Sequence, residues 1–177
     1  KVTNTGTESH RVGIRIMIDT MLASNDDAPF KVKGTGNVTT IKNYDAATGI
    51  PDSYQVYDSL TNPTTIATGY LVSNGEIPPD RVQFTNWREI SNNYWSYVGY
   101  EGGYLGDSAV GIYWDPASLS SGKSKTVSTY YGVGVGASID SSSNTSSKIG
   151  NKEIGIEVKD SQSGEGVKDA SITMTGL

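Results

Sequence analysis

Four oxygen-bearing side chains lie close together in an acidic segment near the start of the chain: Asp19, Asn25, Asp26 and Asp27. Ca²⁺ takes about six to eight oxygen ligands from carboxylates, amides and backbone carbonyls, and irregular loops supply such sets. These residues are therefore a candidate Ca²⁺ site, and the loop at 102–107 could lend Asp107. The EF-hand spacing is absent, so the alternative is an Asx turn at Asn25 and Asp26, with Asp27 capping the two residues that follow.

Aromatic residues concentrate between positions 87 and 104: Trp87, Tyr94, Trp95, Tyr97, Tyr100 and Tyr104. Charged and amide side chains are interspersed with them. Flat aromatic faces stack on pyranose rings and planar polar groups bind hydroxyls, so the stretch is a candidate carbohydrate-binding surface. The alternative is structural, because Trp and Tyr in a β-sandwich often pack half-buried, and residues 97–104 could form one loop packed on its own rings.

The residue types offer little for catalysis. The chain has no cysteine, which excludes disulfides, thiol catalysis and cysteine-based zinc sites. Its one histidine, His10, has no nucleophile signature near it. Paired-carboxylate hydrolysis needs two acids at a set separation, and the pattern selects no pair. We assign no catalytic residue and expect that the protein is not an enzyme; a fragment of a glycan-active hydrolase is the second alternative.

The acidic segment follows a well-marked strand. Val12, Ile14, Ile16 and Ile18 alternate with other residues, which predicts a strand with one buried and one solvated face. The strand ends at the first aspartate, so it delivers the acidic segment to one end of the fold.

Further strands are predicted where β-branched and aromatic residues run between Gly, Pro, Asn or Asp: 30–33, 37–44, 53–60, 65–71, 81–87, 109–114, 124–133 and 153–159. Residues 1–4 and 10–18 read as a hairpin around a turn at 5–7. Helix is expected only as a single turn near 116–119. The spacing predicts an all-β fold, an antiparallel β-sandwich with little helix.

Length and charge narrow the class of protein. A chain of 177 residues is the size of one ordinary domain, or of one domain plus part of another. The net charge of -5 and the lack of a basic cluster argue against nucleic acid as a partner. No apolar run reaches the roughly 20 residues that a bilayer span requires, which argues against membrane insertion. The first residues read as the end of a strand, so we expect the first domain to extend upstream.

Composition changes near the end of the chain. Residues 138–150 are rich in serine and predict a linker or long loop between a β-sandwich domain at 1–137 and a segment at 151–177. That segment reads IGIEVKD (154–160), SQSGEG (161–166) and VKDASITMTGL (167–177), which is strand, turn and strand. It resembles the opening hairpin of immunoglobulin-like and carboxypeptidase-regulatory-like modules in bacterial surface and secreted proteins. It either opens such a module or supplies closing strands of the first domain.

The body of the chain resembles β-sandwich domains of bacterial exported proteins, of the galactose-mutarotase-like or supersandwich type. The resemblance rests on VGIRIMIDTML (12–22), NDDAPF (25–30), PDRV (79–82), DSAVGIYWDP (107–116) and YYG (130–132). It implies a non-catalytic structural or adhesive module of a larger extracellular or cell-surface protein, with a polysaccharide or surface glycan and neighbouring modules as partners. Catalytic members use a pair of histidines with a carboxylate, so no catalytic residue carries over.

Overall fold

The structure is a computed structural model and describes residues 1–72, 76–134 and 154–157. These residues form β1 (Val2–Thr3), β2 (His10–Asp19), β3 (Phe30–Val32), β4 (Gly36–Val38), β5 (Lys42–Asp45), β6 (Ser53–Tyr57), β7 (Ile66–Tyr70), β8 (Arg81–Asn86), α1 (Trp87–Asn93), a 3₁₀ turn (Tyr94–Ser96), β9 (Ser108–Leu119), β10 (Ser124–Lys125), β11 (Tyr130–Gly134) and β12 (Ile154–Glu157).

Ten of these strands build two sheets of five strands each, and β1 and β10 form a separate two-stranded sheet. The first sheet has the order β12-β2-β9-β8-β5, and the second has the order β11-β7-β6-β3-β4. Every pairing between neighbouring strands is antiparallel. The all-β, antiparallel sandwich predicted from strand spacing is therefore confirmed.

The main core lies between the two sheets and is rich in aromatic rings. Phe30 of β3 and Tyr54 of β6 both meet Phe84 of β8, with ring centroids 4.9 Å and 5.2 Å from it. Ile14 and Ile18 of β2 join the same core. The predicted apolar face of β2 is therefore confirmed.

The opposite face of β2 was expected to be solvated, and that expectation is wrong. Helix α1 and the 3₁₀ turn cover it, and an alanine Cβ placed at Gly13 would lie 2.7 Å from the Trp95 ring. Arg15 is buried and donates from Nη2 to the Ile90 carbonyl at 2.5 Å. The sequence did not predict α1 as a helix, although Asn86 accepts a hydrogen bond from the Glu89 amide and so caps it.

The predicted hairpin between residues 1–4 and 10–18 does not form. Strand β1 pairs with β10 instead, in register Val2 with Lys125. Backbone hydrogen bonds hold the first residues there, since Asn4 N donates to Lys123 O at 2.9 Å and Gly122 N donates to Asn4 O at 2.8 Å. The Asn4 side chain holds the crossing by donating to the Leu119 and Glu8 carbonyls, both at 2.8 Å.

Other boundaries also differ from the prediction. The strand predicted at 124–133 divides into β10 and β11, which belong to different sheets. The segment 37–44 divides into β4 and β5, which belong to different sheets, because residues 39–41 cross from one sheet to the other. The helical turn expected at 116–119 is instead part of β9. The strand continues through Pro116 because the register with β2 shifts between Val12 and Ile14, and a bulge tolerates a residue that lacks an amide donor.

Strand β12 pairs with β2 over four residues, Ile154 opposite Ile18 and Glu157 opposite Arg15. The predicted linker at 138–150 and the rest of the segment 151–177 lie outside the described residues. In the described part of the chain, no helix has the length and apolar character needed to cross a membrane.

Candidate functional site

Loops from both sheets meet at one end of the sandwich, which we call the loop end. Backbone hydrogen bonds join the segment after β2 to the start of β9, from Thr20 N to Ser108 O at 3.0 Å and from Ser108 N to Asp26 O at 2.6 Å. The same segment reaches the end of β6, where Tyr57 N donates to Pro29 O at 3.0 Å. Backbone hydrogen bonds therefore join the segments of the loop end to one another.

Three carboxylates converge at the loop end, from Asp19, Asp26 and Asp107. One oxygen from each lies within 4.8 Å of the oxygens of the other two. Partial burial and the neighbouring charges of Asp26 and Asp19 raise the pKa of Asp107 above its ordinary value, while Arg88 opposes the shift. We call these three residues the acidic triad; its chemistry suits a cation with oxygen ligands.

Asn25 and Asp27, also predicted as metal ligands, have other bonding partners. The Asn25 Oδ1 accepts from the Asp27 amide at 3.0 Å, which is the Asx-turn bond, and its Nδ2 donates to the Asp58 carbonyl at 2.8 Å. The Asp27 Oδ2 accepts from the Tyr104 hydroxyl at 2.9 Å. The structure thus brings Asp19 and Asp26 to Asp107, and directs Asn25 and Asp27 towards a neighbouring groove.

The six predicted aromatic residues fall into two groups. Tyr97 is buried, with its hydroxyl hydrogen-bonded to Thr85 Oγ1, and Trp95 is half-buried with its ring edge-on to Tyr113 at 5.7 Å. These two rings hold α1 and the 3₁₀ turn to the first sheet. The other four are exposed, by 37% for Trp87, 47% for Tyr94, 81% for Tyr100 and 78% for Tyr104.

The two most exposed rings belong to the segment 99–105, which we call the tyrosine loop. Its backbone is fixed to the crossing before β5, because Gly102 N donates to Ile41 O and Ile41 N donates to Gly103 O, both at 2.9 Å. Glu101 adds a side-chain clamp, accepting from Asn43 N at 3.0 Å and from Lys42 Nζ at 2.5 Å.

The negative charge of Glu101 contributes to this clamp as well as its hydrogen-bond geometry. Partial burial acts to raise the pKa of Glu101, but the hydrogen bonds from Lys42 and Asn43 outweigh it and hold that pKa below its ordinary value. Glu101 is therefore ionised at neutral pH. The rings of Tyr100 and Tyr104 consequently extend into solvent from a backbone that is held at several points.

A groove of about 330 Å³ opens beside the tyrosine loop. Its main lining comes from three distant parts of the chain: Asn25 and Asp27, Asp58 and Leu60, and Tyr104 and Leu105. The Asp58 carboxylate accepts hydrogen bonds from Thr64, which lowers its pKa. Sequence reasoning missed Asp58 and Leu60 because they stand in a separate turn with no functional spacing to the acidic segment.

His10 lies at the opposite end of β2 from the acidic triad, since β2 runs from His10 to Asp19. About nine residues of extended strand separate the two positions by roughly 30 Å. The single histidine therefore shares no site with the carboxylates or the groove.

Comparison with protein-family models, curated proteins and solved structures finds no match to this chain.

Proposed function

We propose that this chain is a non-catalytic adhesive module of a larger extracellular or cell-surface protein, and that it binds through the tyrosine loop. The observation that carries the proposal is the exposure of Tyr100 and Tyr104, 81% and 78%, on a backbone tied to Ile41 and Asn43. Tyrosine offers a large contact area and little side-chain entropy to lose, so rings held on a fixed loop are suited to recognition.

The division of the aromatic residues supports placing the contact on this loop. Trp95 and Tyr97 pack against the first sheet, so they serve the fold. Tyr100 and Tyr104 have no such packing role at their present exposure. A binding surface made of these rings leaves the core unchanged when a partner arrives, as expected for a module that binds without rearrangement.

A carbohydrate partner is the second candidate. Two neighbouring exposed tyrosines, with the Asp27 carboxylate beside one of them, provide ring faces and a hydrogen-bond acceptor for hydroxyls. The hydrolase alternative has less support. It requires a pair of carboxyl groups of which one acts as a general acid with a raised pKa, whereas hydrogen bonds from Thr64 lower the pKa of Asp58, one of the two carboxylates that line the groove.

The test is a binding panel with matched variants. The module is measured against purified plant, microbial and host polysaccharides and against purified extracellular matrix proteins. The double variant Tyr100→Ala with Tyr104→Ala is expected to lose at least about tenfold in affinity for any ligand found, as hot-spot aromatic residues do. Tyr70→Ala, which removes an exposed ring from β7, is the control and should bind normally.

Carbohydrates and proteins in the panel separate the two candidates. Binding to polysaccharides alone would favour the carbohydrate-binding module. The variant Trp95→Ala is expected to lower the stability of the fold rather than the affinity for the ligand. If a ligand binds equally well to the wild type and to the double tyrosine variant, the tyrosine loop is not the contact surface and the proposal is wrong.

A further inference from the structure

The residues that line the groove beside the tyrosine loop favour a positively charged ligand. Two carboxylates line it, those of Asp27 and Asp58, and the acidic triad adjoins it through Asp26 and Asp107. Among the described residues that line the groove, none is lysine or arginine. A ligand seated there must therefore supply hydrogen-bond donors, and a cationic ligand gains most from the surrounding charge.

Elsewhere in the chain, a tyrosine ring and a carboxylate together bind an arginine side chain. The guanidinium carbon of Arg81, at the start of β8, lies 4.2 Å from the centroid of the Tyr113 ring on β9. Arg81 Nε and Nη2 both donate to Asp115 Oδ1, also on β9, at 3.2 Å. A tyrosine face and a carboxylate thus hold one guanidinium between them. The groove contains a tyrosine ring and a carboxylate as well, those of Tyr104 and Asp27, and a hydrogen bond of 2.9 Å joins them.

We propose that the groove is a docking site for an arginine side chain of a protein partner. The guanidinium lies over the Tyr104 ring and donates to the Asp27 carboxylate, and the methylene stem packs on Leu60 and Leu105. This proposal rests on the proposed adhesive function and names the chemistry of the partner.

Three properties favour arginine over lysine. The guanidinium is planar and stacks on an aromatic face, its donors form a fork that suits a carboxylate, and it is more weakly hydrated than an ammonium group. The groove is also partly apolar, and Leu60 is partly exposed at its surface. An arginine stem covers such a surface while the charged end reaches the carboxylate.

The probe is N-acetyl-arginine methylamide, titrated into the ¹⁵N-labelled module with EDTA present so that no Ca²⁺ occupies the acidic triad. The amide resonances of Asn25, Leu60 and Gly106 should shift with added probe. The citrulline counterpart, which has nearly the same shape but no charge, should bind about tenfold more weakly because the charge-assisted hydrogen bond is absent.

Two variants test the position of the site. Asp27→Asn removes the carboxylate charge, and Leu60→Lys places a competing cation at the groove without disturbing the core. Both should abolish the shifts. Glu8→Gln removes one negative charge far from the loop end and should leave the titration unchanged.

Equal shifts with citrulline, shifts away from the groove, or no shift would overturn the arginine site. Shifts with oligosaccharides but not with the arginine probe would also overturn it and would favour the carbohydrate candidate. The adhesive function is judged separately by the double tyrosine variant in the binding panel. It therefore stands if that variant loses binding while the arginine titration is negative, and it falls if the tyrosine loop has no effect on any ligand.

Discussion

At the scale of single residues, the surroundings of Asp107 are unfavourable to the negative charge of its carboxylate. Partial burial and the carboxylates of Asp26 and Asp19 raise its pKa. The ionised carboxylate is therefore less stable in the folded chain than in the unfolded chain. Its cost is present at a pH above the raised pKa and disappears as the pH falls through that pKa towards the ordinary value near 3.8.

We therefore expect Asp107→Asn to stabilise the protein at neutral pH in the absence of divalent cations. Like charges at this separation repel by roughly 1 kcal/mol at the dielectric constant of water, and these side chains are partly or fully exposed to it, so a gain of that order is expected. Urea unfolding at pH 7 and again near pH 4 measures it. The advantage of the variant should shrink at the lower pH, because a larger share of wild-type Asp107 is protonated there.

Calcium provides the second half of this experiment. If the acidic triad binds Ca²⁺, millimolar Ca²⁺ raises the melting temperature of the wild type by binding only the folded state, and Asp107→Asn removes that rise. Glu8→Gln is the charge-matched control and should retain it. An unchanged wild-type melting temperature would show that the triad is no calcium site and would leave the Asx turn at Asn25 as the role of this segment.

At the scale of elements, helix α1 buries a single side chain against the first sheet. Ile90 is its one buried residue, and its side chain lies over Gly111 of β9, where an alanine Cβ would come within 2.3 Å of Ile90 Cδ1. Arg15 ties the same turn through the Ile90 carbonyl. The helix begins the segment that ends in the tyrosine loop, so its attachment also positions the exposed rings.

Ile90→Ala should cost about 2–4 kcal/mol in the free energy of unfolding, the range for emptying a buried aliphatic site. Chemical denaturation measures this loss. Asn92→Ala, at an exposed position of the same helix, controls for helix propensity and should change stability by less than about 0.5 kcal/mol. A small loss for Ile90→Ala would mean that α1 contributes little to the fold and that other contacts fix the tyrosine loop.

At the scale of the whole molecule, the core contains phenol groups that limit its alkaline stability. Burial raises the pKa of Tyr54 and of Tyr131 well above the ordinary value of 10.0. In the unfolded chain these groups ionise near that ordinary value, whereas in the folded chain they stay neutral. Stability is therefore lost as the pH rises above about 10.

Tyr54→Phe should remove part of this alkaline loss. The Tyr54 hydroxyl is buried and has no hydrogen-bond partner among the described residues, so its removal should be neutral or stabilising at pH 7 and more favourable above pH 10. Tyr44→Phe is the contrasting variant, because Tyr44 donates to Thr35 Oγ1 at 2.8 Å and its loss should cost about 1 kcal/mol. Thermal melts at both pH values test the pair, and a large loss in Tyr54→Phe at pH 7 would reveal a partner for its hydroxyl.

The local pattern of the sequence predicts the strands, because alternation over β2 is a property of neighbouring residues. It identified the apolar face of Ile14 and Ile18 and the acidic segment that follows. It could not predict that the opposite face, with Arg15, would be covered, because a helix of seven residues with a single buried side chain, Ile90, carries no periodic signal.

Tertiary structure alone decided how the loop end is assembled. The antiparallel register that sets Asp19 opposite Ala109 brings Asp107 to the acidic segment across 88 positions of sequence. The groove likewise joins Asp27, Asp58 and Tyr104, whose separations follow no local repeat. Side-chain alternation is set within one strand, whereas the pairing of strands is set by the burial of whole sheets. The sequence therefore determined most of the strands, while only the packed sandwich determined helix α1 and the site.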